Sequence, residues 1–240
     1  MSLVLNYVAR SDRGLVRSTN EDSVYAGPHL LAIADGMGGH AAGEVASKLV
    51  IAELAELDNP PGDDLIDLLH RAILGGNRAI SEQVAEDPRL EGMGTTLTAI
   101  LFGGDRLALA NVGDSRTYLM RDGELEQITR DDSLVQSLVD EGRITAEEAE
   151  THPLRSRVLR ALTGQATVEP TLSVREVRTG DRYLLCSDGL SDVVGHAVLA
   201  GTLRSGDPAT CADRLVQLAL EAGGPDNVTV VVADVLDERG

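Results

Sequence analysis

Four aspartates, far apart in the chain, repeat one local arrangement: an apolar, β-forming run meets an Asp beside a Gly or Pro. They stand in Leu-Leu-Ala-Ile-Ala-Asp35-Gly36, Leu-Ala-Asn-Val-Gly113-Asp114-Ser115, Tyr-Leu-Leu-Cys-Ser-Asp188-Gly189 and Gly-Pro225-Asp226-Asn227, the last leading into Val-Thr-Val-Val-Val. The first three Asp are expected at the carboxyl ends of strands and the fourth at an amino end, so antiparallel pairing can bring all four to one edge. Carboxylates gathered there raise one another's pKa unless a cation neutralises them. Oxygen donors without a Cys or His cluster suit hard ions such as Mg²⁺ or Mn²⁺ and disfavour zinc. Two such ions, about 4 Å apart, can clamp a phosphoryl group and ionise a bridging water near neutral pH. A single Asp-Gly is more often only a turn, whereas four with consistent strand polarity point to metal binding.

Competing chemistries fail on spacing. A cysteine nucleophile that cradles phosphate needs an Arg six residues later, but Cys186 has Asp192 there. The one lysine, Lys48, lies in an amphipathic helical stretch, which leaves neither a P-loop nor a kinase-type nucleotide lysine. The Gly113-Asp114-Ser115-Arg116-Thr117 turn lacks the closing Gly of a hydrolase nucleophile elbow, so Ser115 is not assigned as a nucleophile. Cys186 and Cys211 have no zinc-type spacing and read as structural thiols.

The elements that must position these aspartates are legible as alternation and periodicity. Short β-type runs are predicted at 3–9, 30–34, 95–102, 106–112, 117–120, 124–128, 168–177, 183–186 and 228–235, with Asp122-Gly123 as a hairpin signal. Helical spacing predicts helices over 41–57, 64–84, 196–203 and 209–222. Hairpin-linked strands with helix pairs inserted between them imply an α+β fold, a four-layer α-β-β-α sandwich of two antiparallel sheets flanked by helices. Residues 131–164 differ: they are polar, helical near 133–141 and 146–150, and carry Arg155, Arg157 and Arg160. They are expected to form a small flap subdomain on a single domain spanning 1–240; an ordinary solvated helical excursion is the alternative.

Composition narrows the partners. With 21 Lys and Arg against 39 Asp and Glu, a formal net charge of −18 repels nucleic-acid backbones and anionic lipid surfaces. One Phe, four Tyr and no Trp leave few platforms for base stacking, and the core must be built from Val, Leu, Ile and Ala. A phosphorylated substrate is also anionic, so binding it requires a local reversal of field, for which bound cations are the usual means. Neither a signal peptide nor an apolar run of about 18 residues is present, so no membrane segment is expected and the expected location is cytoplasmic.

Taken together, the motifs resemble the protein phosphatase 2C class of metal-dependent serine/threonine phosphatases in its bacterial form, from about Asn6 to Asp234. The carrying residues are Asp12-Arg13-Gly14 with Arg17; Asn20-Glu21-Asp22; Ala34-Asp35-Gly36-Met37-Gly38-Gly39-His40 with Gly43-Glu44; Gly92-Met93-Gly94-Thr95-Thr96; Gly113-Asp114-Ser115-Arg116; Ser187-Asp188-Gly189; and Gly224-Pro225-Asp226-Asn227. The resemblance implies that Asp35 bridges two core Mn²⁺ or Mg²⁺ ions, with the Gly36 carbonyl on one and Asp188 and Asp226 on the other. It implies that Glu21 and Asp22 hold metal-bound waters, and that Asp114, Asp188 and the flap residue Ser156 form a third-metal site. Arg17 would grip the substrate phosphate through its planar fork; a surface ion pair with Glu21 or Asp22 is the plainer reading. His40 would protonate the departing oxygen, a task suited to a pKa of about 6.5; a helix-terminal His without a catalytic role is the alternative. His29, His70, His152 and His196 match no catalytic block.

The expected function is hydrolysis of phosphoserine and phosphothreonine in proteins by a metal-bridging hydroxide, by a monomer that opposes bacterial Ser/Thr kinases. A silent phosphoprotein-binding module and a small-molecule phosphomonoesterase are the rivals.

Overall fold

Most of the apolar runs fold as strands covered on both faces. A computed structural model of the chain describes residues 3–38, 42–60, 62, 64–165 and 168–238. Along it lie β1 (Leu3–Asp12), β2 (Asp22–Ala26), β3 (Leu30–Met37), α1 (Ala42–Ala55), α2 (Leu65–Glu86), β4 (Gly94–Thr95), β5 (Leu97–Phe102), β6 (Arg106–Val112), β7 (Arg116–Arg121), β8 (Glu124–Gln127), α3 (Leu134–Asp140), α4 (Ala146–Glu150), β9 (Thr171–Glu176), β10 (Arg182–Cys186), α5 (Asp188–Ser191), α6 (His196–Leu203), α7 (Pro208–Glu221) and β11 (Val228–Asp237). One sheet has the order β1-β11-β10-β7-β8 and the other β2-β3-β5-β6-β9, with β4 on β3; all pairings are antiparallel.

Period-two alternation sorts each strand between two cores. In β3, Leu30, Ala32 and Ala34 face α1 and α2, while Leu31 and Ile33 face the other sheet. In β11, Val228, Val230 and Val232 pack with α6 and α7, while Val231, Ala233 and Val235 enter the space between the sheets. Three apolar cores separate four layers, which is the α-β-β-α sandwich expected from the sequence.

The differences from expectation have local causes. β2 has no predicted counterpart: it is a five-residue edge strand, half-buried throughout, whose register comes from pairing Asp22 with Asp35. The strand expected at 168–177 forms only over Thr171–Glu176, since Pro170 has no N–H for the ladder. β3 does not end at Ala34. It continues to Met37 because Gly36 and Met37 pair with Thr95 and Gly94, so Asp35 lies inside the strand rather than at its end. In the segment 131–164, α4 starts on a capping box between Thr145 and Glu148, and the segment is tied back by Ser133–Val158 and Thr95–Leu162 bridges.

Strand direction explains the convergence of the acids. β3 and β6 both run antiparallel to β5 and therefore in the same sense, which puts Asp35 and Asp114 at one end. β10 and β11 are mutually antiparallel, so Asp188 just after one and Asp226 just before the other share an end as well.

Candidate active site

That end opens into a pocket of about 870 Å³ whose lining includes Arg17, Glu21, Asp35, Gly36, Asp114, Ser156, Asp188, Asp192 and Asp226. Asp22 stands beside it on β2. Its Oδ2 accepts hydrogen bonds from Ser187 Oγ (2.9 Å) and Thr229 Oγ1 (2.6 Å), which hold it against the other sheet. The backbone of Asp35 is fixed by Thr95 and Thr96: Thr95 Oγ1 and Thr96 N–H donate to its carbonyl at 2.8 and 2.9 Å. Gly36 has no room for a side chain, since a Cβ would meet Gly43 O at 2.2 Å and Glu21 O at 2.6 Å. Close backbone packing requires the glycine here.

The electrostatics are those of unneutralised like charges. Burial, then Asp188, Asp22 and Asp114, push the Asp35 carboxyl well above the usual carboxylate range, and Asp188 is raised in the same way by burial, Asp114 and Asp192. Burial raises Asp22 to about 6 against the opposing Thr229 and Ser187 hydrogen bonds. Burial together with Asp131 raises Asp114 to about 7. Two carboxylate oxygens, Asp22 Oδ1 and Asp188 Oδ1, are buried without a hydrogen-bond partner. Such orphans cost about 1–3 kcal/mol each, and an all-oxygen donor set with spare lone pairs is what a hard divalent ion coordinates. As they stand, no three acidic, His or Cys side chains among the described residues close around one point.

Arg17 is one of the cations that enter this field. Its Nη2 lies 2.6 Å from Asp226 Oδ2, and the pairing, with Asp188 and Asp35 beyond, holds the guanidinium more firmly protonated. The ion pair is therefore with Asp226, not with Glu21 or Asp22. The loop bearing Arg17, tied by the Leu15 N–H to Gly224 O at 2.8 Å, is also held by a side chain that sequence reasoning left without a role. Asn227 donates from Nδ2 to the carbonyls of Arg13 (2.9 Å) and Thr19 (2.8 Å) and accepts from the Glu21 N–H (2.9 Å). Only its place in the Gly-Pro-Asp-Asn block signals it.

Asp192 was missed as well. It follows Asp188 by four residues, one helical turn, and joins the same acidic field, with Arg155 of the segment 131–164 3.5 Å away. Ser156 is exposed on the flap yet lines the pocket together with Asp114. His40 lies outside the described residues. Cys186 is fully buried, and burial pushes its thiol up to about 12, which leaves negligible thiolate at neutral pH. Ser115 is buried against Thr96 Oγ1 at 2.8 Å.

Similarity to known proteins points the same way as the geometry. The sequence model described as "Protein phosphatase 2C" matches residues 11–228. The chain is 66% identical over 238 residues to the serine/threonine protein phosphatase PstP of Mycobacterium tuberculosis H37Rv, a match covering 99% of this chain and 46% of that protein. The chain thus spans about half the length of this relative. It is 36% identical to the serine/threonine phosphatase stp of Listeria innocua, with 94% of each covered. A crystal structure of the catalytic domain of PstP in complex with two manganese ions superposes with a TM-score of 0.93 at 65% identity, covering 98% of this chain and all of that one. With a family match across most of its length and the same layered architecture in its relatives, the chain belongs to the protein phosphatase 2C family.

Proposed function

We propose that this chain hydrolyses phosphoserine and phosphothreonine in proteins with the help of divalent ions, Mn²⁺ or Mg²⁺. The observation that carries the reading is the convergence of Asp22, Asp35, Asp114 and Asp188 at one pocket with raised pKa values and two orphaned buried oxygens. Two manganese ions in the PstP structure support it. Asp35, the Gly36 carbonyl, Asp188 and Asp226 would hold the two core ions, with Glu21 and Asp22 supporting them; Asp114, Asp188 and Ser156 would hold a third. Bound there, the ions supply Lewis acidity that makes water acidic near neutral pH and offsets phosphoryl charge.

The chain's own residues then have distinct tasks. Arg17, exposed and already turned toward the acidic pocket, exchanges Asp226 for two phosphoryl oxygens. Asn227 keeps that arginine at a fixed height over the pocket by pinning the loop before and after it. His40 is the group assigned to protonate the departing serine or threonine oxygen. With Cys186 and Ser115 both buried, water attacks phosphorus directly and no phosphoenzyme forms. The catalytic unit is the whole of 1–240 with its flap at about 131–164, acting as a monomer on phosphoproteins that include Ser/Thr kinases and their targets. Among the described residues no helix is long and apolar enough to cross a membrane.

The test is turnover of a phosphothreonine peptide with manganese present and with chelator. Manganese-dependent release of phosphate, lost in Asp35→Ala with circular dichroism unchanged, supports the reading. Equal turnover in chelator, or peptide binding without turnover, defeats it.

A further inference from the structure

Beside the acidic pocket lies a second hollow that the chemistry does not use. It has a volume of about 330 Å³, shares Met37 and Val158 with the acidic pocket, and is completed by Leu159, Ala161 and Val168 on one hand and Arg160, Thr163 and Gln165 on the other. The volume is near the lower end of the roughly 300–1,000 Å³ typical of ligand sites, suited to a side chain rather than a cofactor. Leu159 is 51% exposed, one of the more exposed large apolar side chains of the described residues.

The side of the hollow from Leu159 to Gln165 is held by backbone hydrogen bonds. Leu159 N–H donates to Asp132 O at 2.7 Å, Leu162 and Thr95 exchange two backbone hydrogen bonds of 2.9 Å, and Asn77 holds both Gln165 O and Gly164 N–H. The backbone on either side of Leu159 is therefore pinned while its side chain is left in water. Arg160, the charged group on the rim, is already engaged by Asp132 Oδ1 at 2.8 Å and by Glu169 O at 3.1 Å. The hollow therefore presents an apolar wall of Met37, Val158, Leu159, Ala161 and Val168 beside the polar Thr163 and Gln165, with Arg160 already engaged.

We infer that this hollow receives an aliphatic side chain of the substrate, within a few residues of the phosphorylated one, and so selects among phosphoproteins. The inference rests on the phosphatase reading above. Its occupant follows from continuity: a phosphate seated at Arg17 places the adjoining peptide over Met37 and Val158, and successive side chains of an extended chain advance by about 3.3 Å per residue. Burial of one aliphatic group in such a pocket discriminates by about 10- to 200-fold.

The test uses the manganese-loaded chain and a set of phosphothreonine peptides in which one Leu is walked through the positions on both sides of the phosphothreonine in a Gly and Ser background. A small aryl phosphate serves as the substrate with no flanking residue. One Leu position should raise kcat/KM by about tenfold or more, mainly through KM. Both Leu159→Ser and Ala161→Asp should erase that preference while leaving aryl phosphate turnover unchanged. A flat peptide profile, or a preference that survives both substitutions, overturns the hollow's role and leaves the phosphatase reading standing. Absence of aryl phosphate and peptide turnover alike in the unsubstituted chain overturns both.

Discussion

Asp188 carries a cost in stability that its proposed metal-binding role would account for. Its carboxyl is buried, its Oδ1 has no partner, and Asp114, Asp192, Asp226 and Asp22 all press on its charge. Asp188→Asn keeps the shape and removes the charge, so metal-free protein should melt a few degrees higher, with about 1 kcal/mol corresponding to roughly 2–4 °C at this size. The same variant should lose manganese-dependent turnover; differential scanning calorimetry in chelator and a phosphatase assay read the two effects. Arg17 behaves in the opposite way. Its pair with Asp226 is exposed, so Arg17→Ala should change stability by less than about 1 kcal/mol. The kcat/KM for phosphopeptide should nevertheless fall by about tenfold or more, and Arg17→Lys should restore only part of it, because a point charge cannot replace a two-pronged fork. An unchanged KM in Arg17→Ala would remove this residue from phosphate binding.

At the level of elements, the Arg13–Glu21 loop depends on the turn before β11. Asn227 is buried and makes three hydrogen bonds to that loop, so Asn227→Ala should cost about 2–4 kcal/mol in urea unfolding and expose the loop to proteolysis. Sequence alone could not show this, because a side chain that bridges segments more than 200 positions apart leaves no local periodicity. What it could show was the polarity of the strands: Asp114, Asp188 and Asp226 stand next to β6, β10 and β11 as expected, since long apolar runs ending in Asp-Gly or beginning after Pro-Asp mark strand ends strongly. β2 escaped notice because its pairing with β3, not its own composition, makes it a strand, and the run predicted at 95–102 divides at Thr96, Thr95 pairing with Gly36 as part of β4. The segment 131–164 was set apart by its break in apolar patterning, and its helices α3 and α4 fall where Ser133 and Thr145 cap them.

For the whole molecule, the acid cluster sets a pH dependence opposite to that of ordinary salt-bridged carboxylates. Folding raises Asp22 to about 6 and Asp114 to about 7 from 3.8, so between pH of about 4 and 7 the folded chain holds protons that the unfolded chain has released. Metal-free stability contributed by these groups is therefore greatest below that window and falls as pH rises through it. Chemical unfolding in chelator should give a higher midpoint at about pH 5.5 than at about pH 8, and manganese should raise the midpoint most at the higher pH, where the carboxylates are ionised. A chelated sample whose midpoint climbed steadily to pH 8 would contradict this assignment of the proton-binding groups.

The proposed donors come from both halves of the sandwich: Asp22, Asp35 and Asp114 belong to the sheet of β3, and Asp188 and Asp226 flank strands of the sheet of β10 and β11. A cation held between them, as proposed, would act as a rivet through two plates, at one end only. Amide exchange in the metal-loaded chain should slow together in β3, β10 and β11 near that end, and opening of the sandwich should then start from the unriveted edge.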